Sequence, residues 1–112
     1  MQFSELPEFS SELKRLLKKY RSLKEDLERF KPLLQATPRG NESKHWNCLH
    51  RNKRVEVYKV RLTCSYLNAS TIRVIYAYRV ADTAIDFIEL YYKGEKENED
   101  RERIKSYLKD AI

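Results

Sequence analysis

Only two glycines, Gly40 and Gly94, occur in the 112 residues, so no glycine-rich loop is available to cradle a nucleotide phosphate. That excludes a P-loop type of nucleotide hydrolase. Cysteine is equally scarce, and Cys48 and Cys64 read as reduced thiols rather than a disulfide framework. No apolar run reaches transmembrane length. The opening Met1-Gln2-Phe3-Ser4-Glu5 lacks the basic and apolar regions of a secretory signal. The expectation is a cytoplasmic protein without a membrane partner. No Ser/His/Asp or Cys/His nucleophile pattern stands out. His45, Cys48, His50 and Cys64 invite a zinc reading, but His45-x-x-Cys48-x-His50 is not a common finger spacing. We therefore expect no metal and no small-molecule cofactor. Internal repeats and low-complexity linkers are also missing, which leaves one domain over 1–112, large enough for a modest core.

Positive charge is plentiful and unevenly placed. Residues 1–36 carry 8 Lys/Arg against 6 Asp/Glu, residues 37–80 carry 9 against 2, and residues 81–112 carry 6 against 9, within a net +6. A basic middle third suits a polyanion-facing surface better than general solubility. Its cations sit within the strongest β-forming runs, Tyr58-Lys59-Val60-Arg61-Leu62 and Ile72-Arg73-Val74-Ile75-Tyr76. Strand side chains alternate between faces. Lys59 and Arg61 therefore share one face, while Tyr58, Val60 and Leu62 share the other. Arg73 likewise opposes Ile72, Val74, Tyr76 and Tyr78. A core has no need of three such cations, whereas a phosphate-binding surface does. The alternative is that they pair with Glu56, Asp86 and Glu89 on an ordinary solvated face.

The spacing of apolar residues supplies the remaining elements. Phe3–Leu6 reads as a short strand, and Pro7 suits a first helical turn. Phe9, Leu13, Leu16, Leu17 and Tyr20 recur at helical spacing. Ser22 with Glu25 forms a capping-box pattern for a second helix striped by Leu23, Leu27, Phe30 and Leu34. Pro32 predicts distortion or termination near Phe30. Between Thr37 and Arg54 no period is visible, which predicts loop or irregular β-structure, with Trp46 anchoring it to the core in preference to stacking on a base. Strands follow at about Val55–Cys64, Thr71–Val80 and Ala84–Lys93, joined closely enough for an antiparallel meander. Tyr58, Tyr76 and Tyr78 fall at core or rim positions. Asn98 is placed to cap a last helix with stripe Ile104, Tyr107, Leu108 and Ile112. The class is α+β: an N-terminal helical hairpin on a small twisted antiparallel sheet, with a C-terminal helix.

The segment VYKVRL…IRVIYAYRV…AIDFIELYYK over Val57–Lys93 resembles the meander of the RelE/ParE superfamily of toxins from type II toxin–antitoxin modules. The N-terminal helix pair and the tail KGEKENEDRERI extend the resemblance over nearly the whole chain. It implies a RelE-like fold and a toxin held inactive by a cognate antitoxin, whose acidic, partly disordered segment covers the basic face. RelE-like members cleave messenger RNA, usually on the ribosome, whereas ParE-like members poison DNA gyrase. Residue by residue, the family's strand cations fall on Lys59 and Arg61, the next strand's arginine on Arg73, and a following basic residue on Lys93 or, more loosely, Lys96. The family's terminal catalytic Tyr or His has no counterpart, because the matching stretch around Glu99 is acidic; Tyr91, Tyr92 and Tyr107 are substitutes.

RNA cleavage by its own 2′-hydroxyl needs a base, cations around the phosphorane and a proton for the leaving oxygen, and no metal. Arg61 and Arg73 are assigned as clamps, Lys59 as base or stabiliser, and Lys93 as a phosphate grip. His50, Arg54 and Lys96 are auxiliary RNA contacts. The alternatives are a ParE-like gyrase inhibitor and a non-catalytic RNA- or protein-binding relative.

Overall fold

The computed structural model describes residues 1–40 and 45–111. The order is β1 (Gln2–Glu5), α1 (Pro7–Leu17), α2 (Leu23–Ala36), β2 (Trp46–Arg51), β3 (Val55–Cys64), β4 (Ala69–Arg79), β5 (Ala84–Tyr92) and α3 (Arg101–Asp110). The five strands form one sheet in the order β1-β5-β4-β3-β2. β2 to β5 pair antiparallel, and β1 adds parallel to β5. The architecture is the expected α+β one, with a wider and mixed sheet.

One face buries the alternating set Tyr58, Val60, Leu62, Ile72, Val74 and Tyr76 under the stripes of α1 and α2. The other face is apolar at one end only, where Val55, Val57, Ala77 and Ile88 meet Ile104, Tyr107 and Leu108 of α3. Arg103 anchors α3 by donating to both Glu12 oxygens (2.9 and 3.0 Å) and to the Ile88 carbonyl (3.0 Å).

Three local expectations are corrected. Pro32 does not end its helix, which continues to Ala36. An interior proline costs about 3 kcal/mol, but burying Phe30 and Leu34 on either side contributes about 1.5–3 kcal/mol each. Packing wins. Ser22 makes no side-chain cap; its hydroxyl donates to Asp26 (2.8 Å) and accepts from the Tyr66 N–H (2.7 Å). Asp26, fully buried, also accepts from the Ser65 hydroxyl (2.7 Å), the Ser65 N–H (3.2 Å) and Arg29, so this cluster ties α2 to the β3–β4 turn. Asp100, rather than Asn98, caps α3 by accepting from the Arg103 N–H (3.0 Å). Asp100 is drawn there because its own N–H donates to buried Glu89 (2.8 Å). The aperiodic stretch, expected as loop or irregular β-structure, contains β2, whose alternation is broken by a bulge between Cys48 and His50. Part of that stretch, 41–44, lies outside the described residues.

Trp46 fixes this region to the core. Its indole N–H donates to the Tyr76 hydroxyl (2.9 Å), which donates to the Pro38 carbonyl (2.8 Å). Gly40 lies flat on the indole: its φ is +75°, and a Cβ there would sit 2.4 Å from the ring.

Candidate nucleic-acid interface

The meander places its cations as alternation requires. Arg61 stands directly opposite Arg73 across β3 and β4, and Arg73 opposite Tyr91 across β4 and β5. Two residues along, Lys59, Ile75 and Glu89 form the neighbouring row. All six project from the face that α3 covers at its other end.

Compensation differs sharply between those rows. Lys59 donates to Glu99 (2.9 Å), which is almost wholly buried and also lies 3.4 Å from Arg101. Burial pushes the Glu99 carboxyl up, but the Lys59 hydrogen bond and the nearby cations prevail and hold it below its ordinary range. Glu89, fully buried, accepts from Lys96. Arg61, by contrast, is exposed and has no side-chain hydrogen bond or ion pair among the described residues. Half-buried Arg73 donates to the carbonyls of Ser70 (2.8 Å) and Ile72 (3.4 Å) and to no carboxylate. Burial and then the Arg61 charge lower the Arg73 pKa from its ordinary value. Like charges directly opposite on a sheet repel; this pair is arranged to receive an anion.

Lys93 continues the patch: its backbone N–H donates to Thr71 O (2.8 Å) and its ammonium to Glu97 O (3.0 Å). Lys96 lies 5.6 Å from the centre of the Tyr91 ring. His50, hydrogen-bonded to Asn52 (3.1 Å), lies beside the Lys59 row and away from the arginine pair, in a cleft of about 310 Å³ lined also by Arg101 and by Glu99, the partner of Lys59. Arg54 is farther still. It lies in the β2–β3 turn, seven residues and thus about 23 Å along the strand from Arg61, its carbonyl accepting from the Val80 N–H (3.0 Å). The site brings together Lys59, Arg61, Arg73, Lys93 and Lys96, has His50 at its Glu99 margin, and leaves out Arg54.

Of the substitute tyrosines, Tyr91 alone stands directly opposite an arginine of the pair, Arg73. Tyr107 donates to Asp86 (2.6 Å) at the α3-covered end, and Tyr92 packs on Tyr20. The Tyr91 hydroxyl is buried without a hydrogen-bond partner and is pushed up to about 12, first by burial and then by Glu99 and Glu89. Sequence reasoning missed Glu99 as the partner of Lys59, since nothing local signals a contact across 40 residues. Among the described residues no group of His, Cys, Asp and Glu gathers to hold a metal, and no helix is long and apolar enough to cross a membrane.

No protein-family model matches the chain, and neither does any curated protein. Among solved structures it is similar to a chain of the archaeal RelE–RelB complex from Pyrococcus horikoshii OT3. The match covers 85% of this chain and 97% of that one, with a TM-score of 0.62 and 19% identity. The fold is RelE-like.

Proposed function

We propose that this chain is the toxin of a type II toxin–antitoxin module, a metal-independent endoribonuclease that cleaves messenger RNA at the ribosome in the cytoplasm. The observation that carries this reading is the uncompensated Arg61–Arg73 pair on an open part of the sheet. Two guanidiniums set side by side suit the oxygens of one phosphate and the extra charge of its pentavalent transition state. Lys59 already donates to a carboxylate, which suits it to stabilising charge rather than to accepting the 2′-hydroxyl proton. Lys93, beside the pair, would hold a neighbouring phosphate. The antitoxin would bring acidic side chains to the same cations, and the similar archaeal chain occurs in a RelE–RelB complex. One observation favours a second reading, a ParE-like gyrase inhibitor: Tyr92 and Tyr107 are engaged away from the patch, and the Tyr91 hydroxyl, although opposite Arg73, is buried.

The test is induction in growing cells with mapping of RNA ends, repeated for Arg61→Ala and Arg73→Ala. New cleavage sites with the wild type and few with either variant are expected. Cleavage unchanged in both variants would remove the site. Altered plasmid supercoiling without cleavage would select the gyrase reading.

A further inference from the structure

The arginine pair adjoins a cleft at the sheet edge. Among the described residues, pairing of β2 with β3 runs to Trp46–Val60, and the bond farthest along runs from the Arg61 N–H to the His45 carbonyl (3.1 Å). Alternate residues of a strand turn their backbone groups to the same side. Thr63 is thus the next residue to turn its N–H and C=O outward, with no strand beside it among the described residues. A cleft of about 390 Å³ opens there. Phe30 and Leu33 of α2, with Leu62 and Trp46, form its apolar wall, and Arg61, Thr63 and Ser70 form its polar rim. Leu33 is 56% exposed, unusually wet for a leucine facing a cleft. Arg61 lines this place, and Arg73, which does not, is tied to it through the carbonyl of Ser70 on its rim. The wall is rigid, because Trp46 is held by Tyr76 and capped by Gly40.

We propose that the cleft is a nucleobase subsite, taking one unstacked base of the RNA strand whose phosphate sits on Arg61 and Arg73. This rests on the RNA-binding part of the reading above. A base is apolar on its faces and hydrogen-bonding at its edge, as single-stranded RNA recognition exploits. The cleft offers that combination: apolar side chains, then the Thr63 peptide and the Thr63–Ser70 hydroxyl pair (2.9 Å apart). An added peptide strand fits less well. β3 ends at Cys64, so the open edge supplies one outward-facing residue where a strand needs a run, and the cations favour a polyanion. The Asp26 carboxylate at the floor is already occupied by Ser22, Ser65 and Arg29.

Trp46 is the sole tryptophan, so its fluorescence reports occupancy. The full chain is titrated with a 2′-O-methyl oligoribonucleotide, intact or carrying one abasic position moved stepwise along it. The intact strand should change Trp46 emission and bind about tenfold tighter than the strand abasic at one particular position. Leu33→Lys, which keeps the attraction to phosphate but spoils the apolar wall, should lose both the emission change and the tenfold preference. Indifference to every abasic position, with Arg61-dependent binding and cleavage intact, would overturn the subsite and leave the ribonuclease reading standing. No oligonucleotide binding at all would overturn both. An emission change with an acidic peptide but with no oligonucleotide would overturn the subsite in favour of a protein partner.

Discussion

The two ends of one sheet face carry similar numbers of cations and behave differently. Toward α3, Lys59 and Arg103 meet Glu99 and Glu12, and Lys96, at the border of the patch over Tyr91, meets Glu89. At the open end Arg61 and Arg73 meet each other. The lesson concerns uncompensated charge: a basic composition marks a polyanion surface only where the fold withholds the counter-ions. Charge already paired with a buried carboxylate is partly spent within the fold, so Lys59 assists the arginine pair rather than replacing it.

The largest expected effect comes from breaking the open end. Arg61→Ala or Arg73→Ala should lower the single-turnover rate on RNA by about 10²–10³-fold, the usual effect of removing one transition-state donor. Thermal unfolding should move little or slightly upward, because the like-charge repulsion is relieved. The opposite manipulation makes the α3 end resemble the open one. Glu89→Gln removes the carboxylate that Lys96 contacts, and should cost about 2 kcal/mol in denaturant unfolding. It should also steepen the salt dependence of oligonucleotide binding by about 0.7 in log–log slope, one more phosphate contact on single-stranded RNA.

Acid should reveal the same asymmetry more gently. Glu56, bonded by Tyr58 and Arg39, and Glu99, bonded by Lys59, both titrate below their ordinary value when folded, despite burial pulling the other way. The unfolded chain therefore takes up protons first as pH falls. Their contribution to stability is complete above about pH 5 and fades as pH drops through the folded values. Melting between pH 7 and pH 3, followed by circular dichroism, should show a flatter acid limb in Glu99→Gln than in the wild type. The smallest effect is assigned to Arg54→Ala. A cation some 23 Å from the pair along its strand should change oligonucleotide affinity by less than about twofold, against roughly tenfold for Arg61→Ala. Equal losses would erase the distinction between the patch and the remaining basic surface.

Most of the fold was legible because its signals are local. Alternation in β3, β4 and β5 and the stripes of α1 and α2 are periods of two and three to four. Burial alternates toward the end of β3, while β4 and β5 are buried in continuous runs where α3 covers the second face. β2 was not legible, since the bulge at Cys48–His50 puts its alternation out of step. The helix past Pro32 and the shift of the α3 cap to Asp100 both follow from tertiary contacts that outweigh a local preference. Within the candidate site, alternation was enough to put Lys59, Arg61 and Arg73 on one face. It did not tell Lys59, which is neutralised, from Arg61, which is not.

By itself the amino-acid order determined the elements, the shared face of the strand cations and the surplus of positive charge in the middle third. All of these rest on neighbours a few residues apart. Tertiary structure alone decided which cations keep their charge unspent, which tyrosine hydroxyls are shut away, and which side chains line the cleft beside Arg61. The physical reason is range. Periodicity acts over one turn or one pleat, whereas the Coulomb and hydrogen-bond partners of Lys59 and Glu89 come from chain segments that only folding brings near.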